Sequence, residues 1–227
     1  MRWLRVLLWP VGALLGLGAE WASYGWDDPA HWIPDLVTGW TLIACGLVAW
    51  SRRGDSRSGP LLAATGFAWF LGNFASGALY LYRGPLVHLL ITYPSGRVSS
   101  RRETAAIAVG YTAAVVAPVW RSELGTIVLA VLLMAICARS YSRAVGPARR
   151  ARLVALWAAG GLGLALAGGA AARLAVPGGD AADPSLLALE AALCALAAGL
   201  LAGLLWRPWE QGAVTDLVIE LGENRGR

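Results

Sequence analysis

Residues 185–206 read SLLALEAALCALAAGLLAGLLW, and Glu190 is the one charged side chain in this run. The hydrocarbon core of a bilayer is about 30 Å thick, so a helix needs about 20 apolar residues to cross it. The run is long enough and apolar enough to cross, and seven further segments of the chain are similarly long and apolar. The predicted spans are 3–19, 34–50, 60–77, 79–95, 104–120, 123–139, 153–175 and 185–206.

The composition of the whole chain agrees with a polytopic membrane protein. Hydrophobic residues make up 57% of the 227 residues and charged residues 15%, and the mean hydropathy is +0.57. A soluble domain carries about 25% charged residues, and a disordered chain has low hydrophobicity. The composition therefore excludes disorder and argues against a water-soluble enzyme domain. We predict an all-α integral membrane protein with about eight transmembrane helices, multi-pass in the cell membrane.

The basic residues, all of them arginine, divide the connections between spans into two groups. Eleven Arg and two acids lie in one group, which comprises 51–58, 97–103 and 139–152. Three Arg and seven acids lie in the other, which comprises 20–35, 80–83, 120–123 and 173–184. Because positively charged loops stay in the cytoplasm, eight spans with both termini cytoplasmic satisfy every connection. Arginines placed between apolar runs do not form a basic binding face, so no nucleic-acid partner is predicted.

The span at 79–95 is the weakest of the eight. The sequence Arg83-Gly84-Pro85 interrupts it, and the apolar run 85–94 alone is too short to cross. A re-entrant segment here is the alternative, and it would place the arginine-rich connection 97–102 outside the cell. The charge rule favours eight crossings.

After Trp209 the pattern changes to that of a short amphipathic helix on the cytoplasmic side. Its apolar positions follow i, i+3, i+4, i+7 spacing, and they are Val214, Leu217, Val218 and Leu221. Two heptads are too few for a helix to be stable alone. We therefore divide the chain into a membrane domain, 1–209, and the start of a linker helix, 210–227, and expect a soluble domain to follow Arg227.

Polar side chains within the spans are the candidate ligand-binding or sensing residues. They gather in the outer halves of the spans, and they are Glu20, Asp35, Asn73, Arg83, His88, Arg173 and Glu190. Such groups are costly in a bilayer and face protein or a water-filled cavity. Two interpretations stay open: anchors and fold-fixing pairs, or a cavity open to the outside that binds a small ligand. Arg173 and Glu190 flank one short connection, so a salt bridge between them is predicted.

Two glycine pairs have the spacing that lets helices approach closely in lipid. They are Gly12/Gly16 and Gly199/Gly203. Packing within the bundle is one interpretation. The second pair is also a candidate dimer face, because its helix leads directly into the exit segment.

Catalytic and metal-binding patterns are missing from the sequence. It contains no HExxH motif, no acids paired for intramembrane proteolysis and no GxSxG serine. Cys45, Cys137 and Cys194 each lie inside an apolar run, without CxxC spacing or a nearby histidine. We predict no catalytic residue, no cofactor and no metal site, and hence no enzymatic activity for this chain by itself.

Several blocks of the sequence resemble one known class of membrane domain. The most specific are RGPLVH at 83–88 and YPSGR at 93–97, supported by residues 34–53 and 59–72. The segment AVTDLVIELG at 213–222 is similar to a linker that enters a kinase core. Together they resemble the N-terminal membrane sensor region of actinobacterial sensor histidine kinases.

The resemblance implies a role in two-component signal transduction. The family's phosphoacceptor histidine and ATP-binding domain are not in this sequence, so the kinase activity cannot be assigned to any residue here. What it implies is an input module in a homodimer in the lipid bilayer, passing a membrane or extracellular stimulus to a kinase core and its response regulator. The alternatives are a small transporter or channel, and a membrane enzyme acting on lipid, which the missing catalytic residues disfavour.

Overall fold

The computed structural model describes the backbone of residues 2–175 and 182–224. Side chains are described over the same ranges except at Arg2, Trp120, Pro147, Ala182, Asp183 and 207–224. The part of the chain that is described consists of helices and turns, without a β-strand. In chain order the helices are α1 (Arg2–Tyr24), α2 (Pro29–Arg52), α3 (Ser58–Phe74), α4 (Arg83–Thr92), α5 (Arg101–Val115), α6 (Ala117–Trp120), α7 (Glu123–Arg143), α8 (Pro147–Ala175) and α9 (Ala182–Asn224).

Five of these helices contain a stretch that is long and apolar enough to cross a bilayer. The stretches are Trp3–Tyr24, Pro29–Arg52, Glu123–Arg143, Ala148–Ala175 and Pro184–Trp206. They coincide with five of the eight predicted spans. The fold is that of an all-α membrane protein, as predicted.

The other three predicted spans are shorter or broken. Helix α3 has 17 residues and α5 has 15, which correspond to lengths of about 25 Å and 23 Å. The segment 79–95 is not one continuous helix: a single 3₁₀ turn at Ser76–Ala78 and further turns lead into α4, which has 10 residues. At about 15 Å, α4 covers half of a bilayer core.

Helices α2, α4 and α8 organise the packing. Helix α2 packs against α1, α3 and α9, and α8 packs between α7 and α9. The short helix α4 contacts α3, α5, α7 and α8. Leu42, Phe70 and Leu200 are among the fully buried side chains of the core.

Glycines bring α2 and α3 into backbone contact. A Cβ on Gly46 would overlap the Ala63 backbone, and one on Gly59 would overlap the Trp50 backbone. A Cβ on Gly66 would come within 2.8 Å of the Ile43 backbone nitrogen. The seven-residue spacing from Gly59 to Gly66 is two helical turns, so both glycines present the same face to α2.

The three arginine-rich connections lie at one end of the bundle. The backbone carbonyl of Pro94 accepts hydrogen bonds from the hydroxyls of Ser56 and Ser58, at 2.7 and 2.9 Å. Arg152 donates to the backbone carbonyl of Ile91 at 2.7 Å. The segment 79–95 therefore ends beside the α2–α3 and α7–α8 connections. We call this the arginine-rich end, comprising 52–58, 94–102 and 143–152.

The remaining connections meet at the opposite end. The Ser23 hydroxyl donates to the backbone carbonyl of Asn73, which joins α1 to α3. Arg173 joins the end of α8 to the first residue of α7. We call this the acidic end, comprising the described residues of 20–35, 73–83, 120–123 and 173–185.

The exit segment continues the last span rather than forming a separate helix. Helix α9 runs unbroken for 43 residues, so the predicted boundary between 209 and 210 falls inside it. The side chains of Val214, Leu217, Val218 and Leu221 lie outside the described residues.

Candidate functional site

Four of the predicted polar residues come together at the acidic end. Glu20, Asp35, Asn73 and Glu190 lie on α1, α2, α3 and α9, each within a few turns of the helix terminus there. Their helices meet because α2 packs against the other three. Glu20, Asp35 and Glu190 are 0%, 6% and 3% exposed. We refer to these four residues as the acidic cluster.

Asn73 links two of the buried acids. Its side-chain amide donates to Asp35 Oδ2 at 2.7 Å and to Glu20 Oε1 at 3.3 Å. One amide therefore satisfies an oxygen on each of two helices. The sequence placed these residues toward the outer halves of their spans, and the structure brings them into contact.

Glu190 completes the cluster without a hydrogen bond. Both of its carboxyl oxygens are buried and unpartnered among the described residues, as is Oε2 of Glu20. The carboxyl group of Glu190 is close enough to interact electrostatically with Asp35 and Glu20. Three carboxyl groups buried close together are costly, so this part of the bundle attracts positive charge, whether a proton or a cation.

The predicted salt bridge between Arg173 and Glu190 is wrong. Arg173 instead forms a bidentate pair with Glu123, with nitrogen–oxygen distances of 2.7 and 2.9 Å, and also donates to Ser185 at 3.1 Å. The similar depth of two side chains in the membrane could not by itself identify the partner of Arg173. Glu190 lies on the face of α9 directed toward α1 and α2, whereas Arg173 reaches toward α7, on which α8 packs.

A cavity of ≈ 440 Å³ adjoins the acidic cluster. Asp35, Asn73, Arg83 and Arg173 are among the residues that line it. The Arg83 guanidinium lies 4.2 Å from the centre of the Tyr80 ring, and its buried Nε has no hydrogen-bond partner. The cavity is therefore lined by both signs of charge.

His88 lies apart from this cavity. Its ring faces Tyr111 of α5 edge-on, with ring centroids 6.2 Å apart, and its Nε2 is buried without a hydrogen-bond partner.

The glycine pairs have unequal surroundings. A Cβ on Gly16 would meet Phe70 at 2.8 Å, and one on Gly12 would meet Ile43 at 3.1 Å, so the first pair packs within the bundle. Gly203 faces the Tyr93 hydroxyl, which donates to the Leu200 carbonyl. A Cβ on Gly199 would have no heavy atom within 4 Å, and this glycine lines a groove between α8 and α9. The predicted dimer pair thus divides into one glycine inside the bundle and one facing outward.

The sequence missed one pairing and two aromatic residues at the acidic end and its cavity. Glu123 was among the polar residues within or near the spans, but its pairing with Arg173 was not predicted. Trp69 lines the cavity and is 8% exposed, with an unpartnered Nε1. Tyr82 packs edge-on against Trp69 at 4.9 Å. The only sequence signal for the two aromatic residues was their position next to polar residues in short spans.

Metal coordination is not the evident chemistry of the cluster. Within 2–175 and 182–224, no three His, Cys, Asp or Glu side chains are grouped so that they could hold a metal ion. The arrangement instead provides buried acids and a mixed-charge cavity. It can hold protons or a small charged molecule.

The sequence blocks that carry the family resemblance have clear packing roles here. Tyr93 is fully buried and ties α4 to α9, and Gly96, at φ +67°, lies against the Arg57 backbone. Comparison of the chain with family models, with curated proteins and with solved structures gives no match in any of the three.

Proposed function

We propose that this chain is the membrane-embedded input module of a signalling protein, relaying the state of the acidic end to the arginine-rich end. The observation that carries the proposal is the continuity of α9. This helix begins beside the acidic cluster, passes Tyr93 near the arginine-rich end and continues to Asn224. Its 43 residues correspond to about 65 Å, twice the thickness of a bilayer core. A displacement at Glu190 would therefore be carried along one rigid element.

The proposed topology has eight crossing segments, with both termini in the cytoplasm of a cell whose plasma membrane holds the protein. The shared location of the three arginine-rich connections supports it, because such connections stay on the cytoplasmic side. In this topology the acidic end faces outward. The broken segment 79–95 crosses as turns followed by α4.

The resemblance to actinobacterial sensor histidine kinases suggests what lies downstream. We propose a homodimer whose α9 helices enter a kinase core, which in turn acts on a response regulator. A ligand or membrane state would favour one packing of the bundle and shift the population of α9 orientations. A coupling of about 1–3 kcal/mol gives a response of roughly 5–150-fold. The chain itself would contribute no catalytic residue.

A chimera tests the relay. The chain is fused after Arg227 to the core of a dimeric histidine kinase, and autophosphorylation is measured in membrane vesicles. Insertion of one alanine after Trp206 rotates the following helix by about 100°, whereas seven alanines return it to within about 20° of its original phase. We expect kinase output to change with one inserted residue and to recover with seven.

Substitutions at the acidic end provide a second test of the relay. Asp35→Asn should alter output, whereas Glu103→Gln, at the exposed start of α5 near the arginine-rich end, should leave it unchanged at equal protein level. Kinase output that changes neither with the helical phase nor with Asp35→Asn would contradict the proposed relay.

One observation favours a small transporter or channel as a second candidate. Helix α4 spans only half of a bilayer core, and Arg83 at its first position lines the polar cavity. Broken helices beside a polar site are a feature of secondary transporters. Solute flux through proteoliposomes that contain this chain alone would support the rival function.

A further inference from the structure

We propose that the cavity at the acidic end binds a small zwitterion. The anionic group of the ligand would lie against Arg83 and Trp69, and its ammonium group against Asp35. This inference deepens the proposed function, on which it rests for the role of the ligand as a stimulus. Binding itself is independent of any signalling partner and can be measured on the chain alone.

The cavity has the size and the setting of a small-molecule site. Its volume is ≈ 440 Å³, and its lining side chains come from several helices, including α3, α8 and α9. Pockets for small ligands are typically about 300–1,000 Å³ and combine apolar walls with a few polar groups. Leu166 and Leu189 supply apolar walls here.

Two residues that line the cavity have buried donors without acceptors. Trp69 is 92% buried (8% exposed) and its Nε1 has no hydrogen-bond partner. The Nε of Arg83 is likewise buried and unpartnered, and the guanidinium lies over the Tyr80 ring. A buried donor without an acceptor costs about 1–3 kcal/mol. A carboxylate or phosphate oxygen is the acceptor that a guanidinium favours most.

The second cation on the cavity wall is already engaged. Arg173 forms its bidentate pair with Glu123 and donates to Ser185. It adds a pair that is close to neutral. Glu123 also interacts electrostatically with Arg83, but the Nε of Arg83 has no hydrogen-bond partner, so Arg83 is the cation with a donor left for an anionic group.

One acidic residue that lines the cavity has no cationic partner among the described residues. Asp35 lines the cavity, and the carboxyl groups of Glu20 and Glu190 lie near it. Three of their buried oxygens have no partner: Glu20 Oε2 and both oxygens of Glu190. Low-dielectric walls concentrate the field of such a cluster, which makes this side of the cavity a favourable place for an ammonium group.

Arg83 and Asp35, which both line the cavity, together select against ligands of a single sign. A simple anion would be attracted by Arg83 but repelled by the acidic cluster. A simple cation would be attracted by the acidic cluster but repelled by Arg83. A molecule with an ammonium group and a carboxylate or phosphate satisfies both. This chemistry has two sources: a free solute, or the headgroup of a phosphatidylethanolamine in the outer leaflet.

Calorimetric titration of the full chain in dodecyl-maltoside micelles tests the selection. The zwitterionic probes are β-alanine and O-phosphoethanolamine, and the single-charge probes are ethanolamine, propionate and inorganic phosphate. We expect saturable binding of a zwitterion at least about tenfold tighter than that of each single-charge probe. Equal binding of a single-charge probe would overturn the proposal.

A lipid arm separates the two sources. Thermal unfolding is compared in nanodiscs of phosphatidylglycerol with and without phosphatidylethanolamine. Stabilisation by phosphatidylethanolamine without binding of soluble probes assigns the site to the headgroup, and binding of soluble probes assigns it to a solute. If neither soluble zwitterions nor phosphatidylethanolamine has an effect, the proposal is wrong, although the dependence of the chimera on helical phase would still stand.

Variants locate the site within the molecule. Arg83→Gln and Trp69→Phe should each weaken zwitterion binding by about tenfold or more, since one hydrogen bond to a charged group contributes about 1.5–3 kcal/mol. Arg83→Lys should retain part of the affinity. Arg101→Gln, at the arginine-rich end, is the matched control and should not change it. Binding unaffected by both Arg83→Gln and Trp69→Phe would place the ligand elsewhere and refute the assignment.

Discussion

Asn73 and Glu190 show how differently two polar residues of the acidic cluster are accommodated. The amide of Asn73 donates to the carboxyl groups of Asp35 and Glu20, so its removal leaves two acceptors unsatisfied. Glu190 is more deeply buried than the half-buried Asn73, yet it makes no hydrogen bond that could be lost. At the scale of single residues, burial alone does not tell how much a polar side chain stabilises the fold.

Substitution of Asn73 should therefore be more damaging than substitution of Glu190. We expect Asn73→Leu to lower the free energy of unfolding by about 1–3 kcal/mol, because two buried acceptors lose their donor. Glu190→Met, of similar volume, should change it by less than about 1 kcal/mol or raise it. Both are measured by unfolding in detergent micelles followed by circular dichroism. A larger loss for Glu190→Met would show that its carboxyl group has a stabilising partner after all.

The pairing of Arg173 gives a second prediction for single residues. The side chains of Arg173 and Glu123 are 40% and 30% exposed, so we expect a coupling energy of about 0.2–1 kcal/mol. A double-mutant cycle with Arg173→Gln and Glu123→Gln measures it. The matched cycle with Arg173→Gln and Glu190→Gln should give none, and a reversal of the two results would restore the pairing that the sequence predicted.

Among the helices, the contact between α2 and α3 depends on close approach of the two backbones. Gly46 and Gly59 each sit where a Cβ would overlap the neighbouring helix. Lipid offers no hydrophobic driving force for helix association, so van der Waals contact at small residues supplies much of it. Glycines at other positions have no such role, because Gly161 and Gly199 face open space.

Alanine substitutions should separate these two kinds of glycine. We expect Gly46→Ala or Gly59→Ala to destabilise the protein by about 1–3 kcal/mol, because the helices must move apart. Gly161→Ala should be neutral or stabilising by up to about 1 kcal/mol, because alanine favours the helix. Thermal unfolding of the three variants checks this. Equal effects at Gly46 and Gly161 would mean that α2 and α3 do not touch as described.

The break before α4 is also an effect at the scale of elements. The sequence Arg83-Gly84-Pro85 correctly marked an interruption, since proline favours the first turn of a helix. The position of the interrupted segment in the fold could not be predicted from local sequence. The hydrogen bonds from Ser56 and Ser58 to Pro94 are what bring the end of α4 to the arginine-rich end.

For the whole molecule, the shared location of the arginine-rich connections predicts which residues face the cytoplasm. In a variant without the three native cysteines, we expect Asp27→Cys to react with an impermeant maleimide in intact spheroplasts. Val98→Cys and Val145→Cys, both exposed at the arginine-rich end, should react only after the membrane is opened. Reaction of Val98→Cys and Asp27→Cys from the same side would refute the topology.

Composition and periodicity by themselves determined the class of this protein. Five long apolar helices, the interruption at residues 83–85 and the gathering of polar residues toward one end follow from local sequence, because the bilayer imposes length and hydrophobicity on each segment separately. Tertiary structure alone decided which polar residues meet. Asp35 and Glu20 share Asn73, Arg173 turns to Glu123, and Gly203 packs on Tyr93, since these choices depend on the rotation of each helix about its axis. That rotation is fixed by side chains distant in sequence, which no local pattern contains.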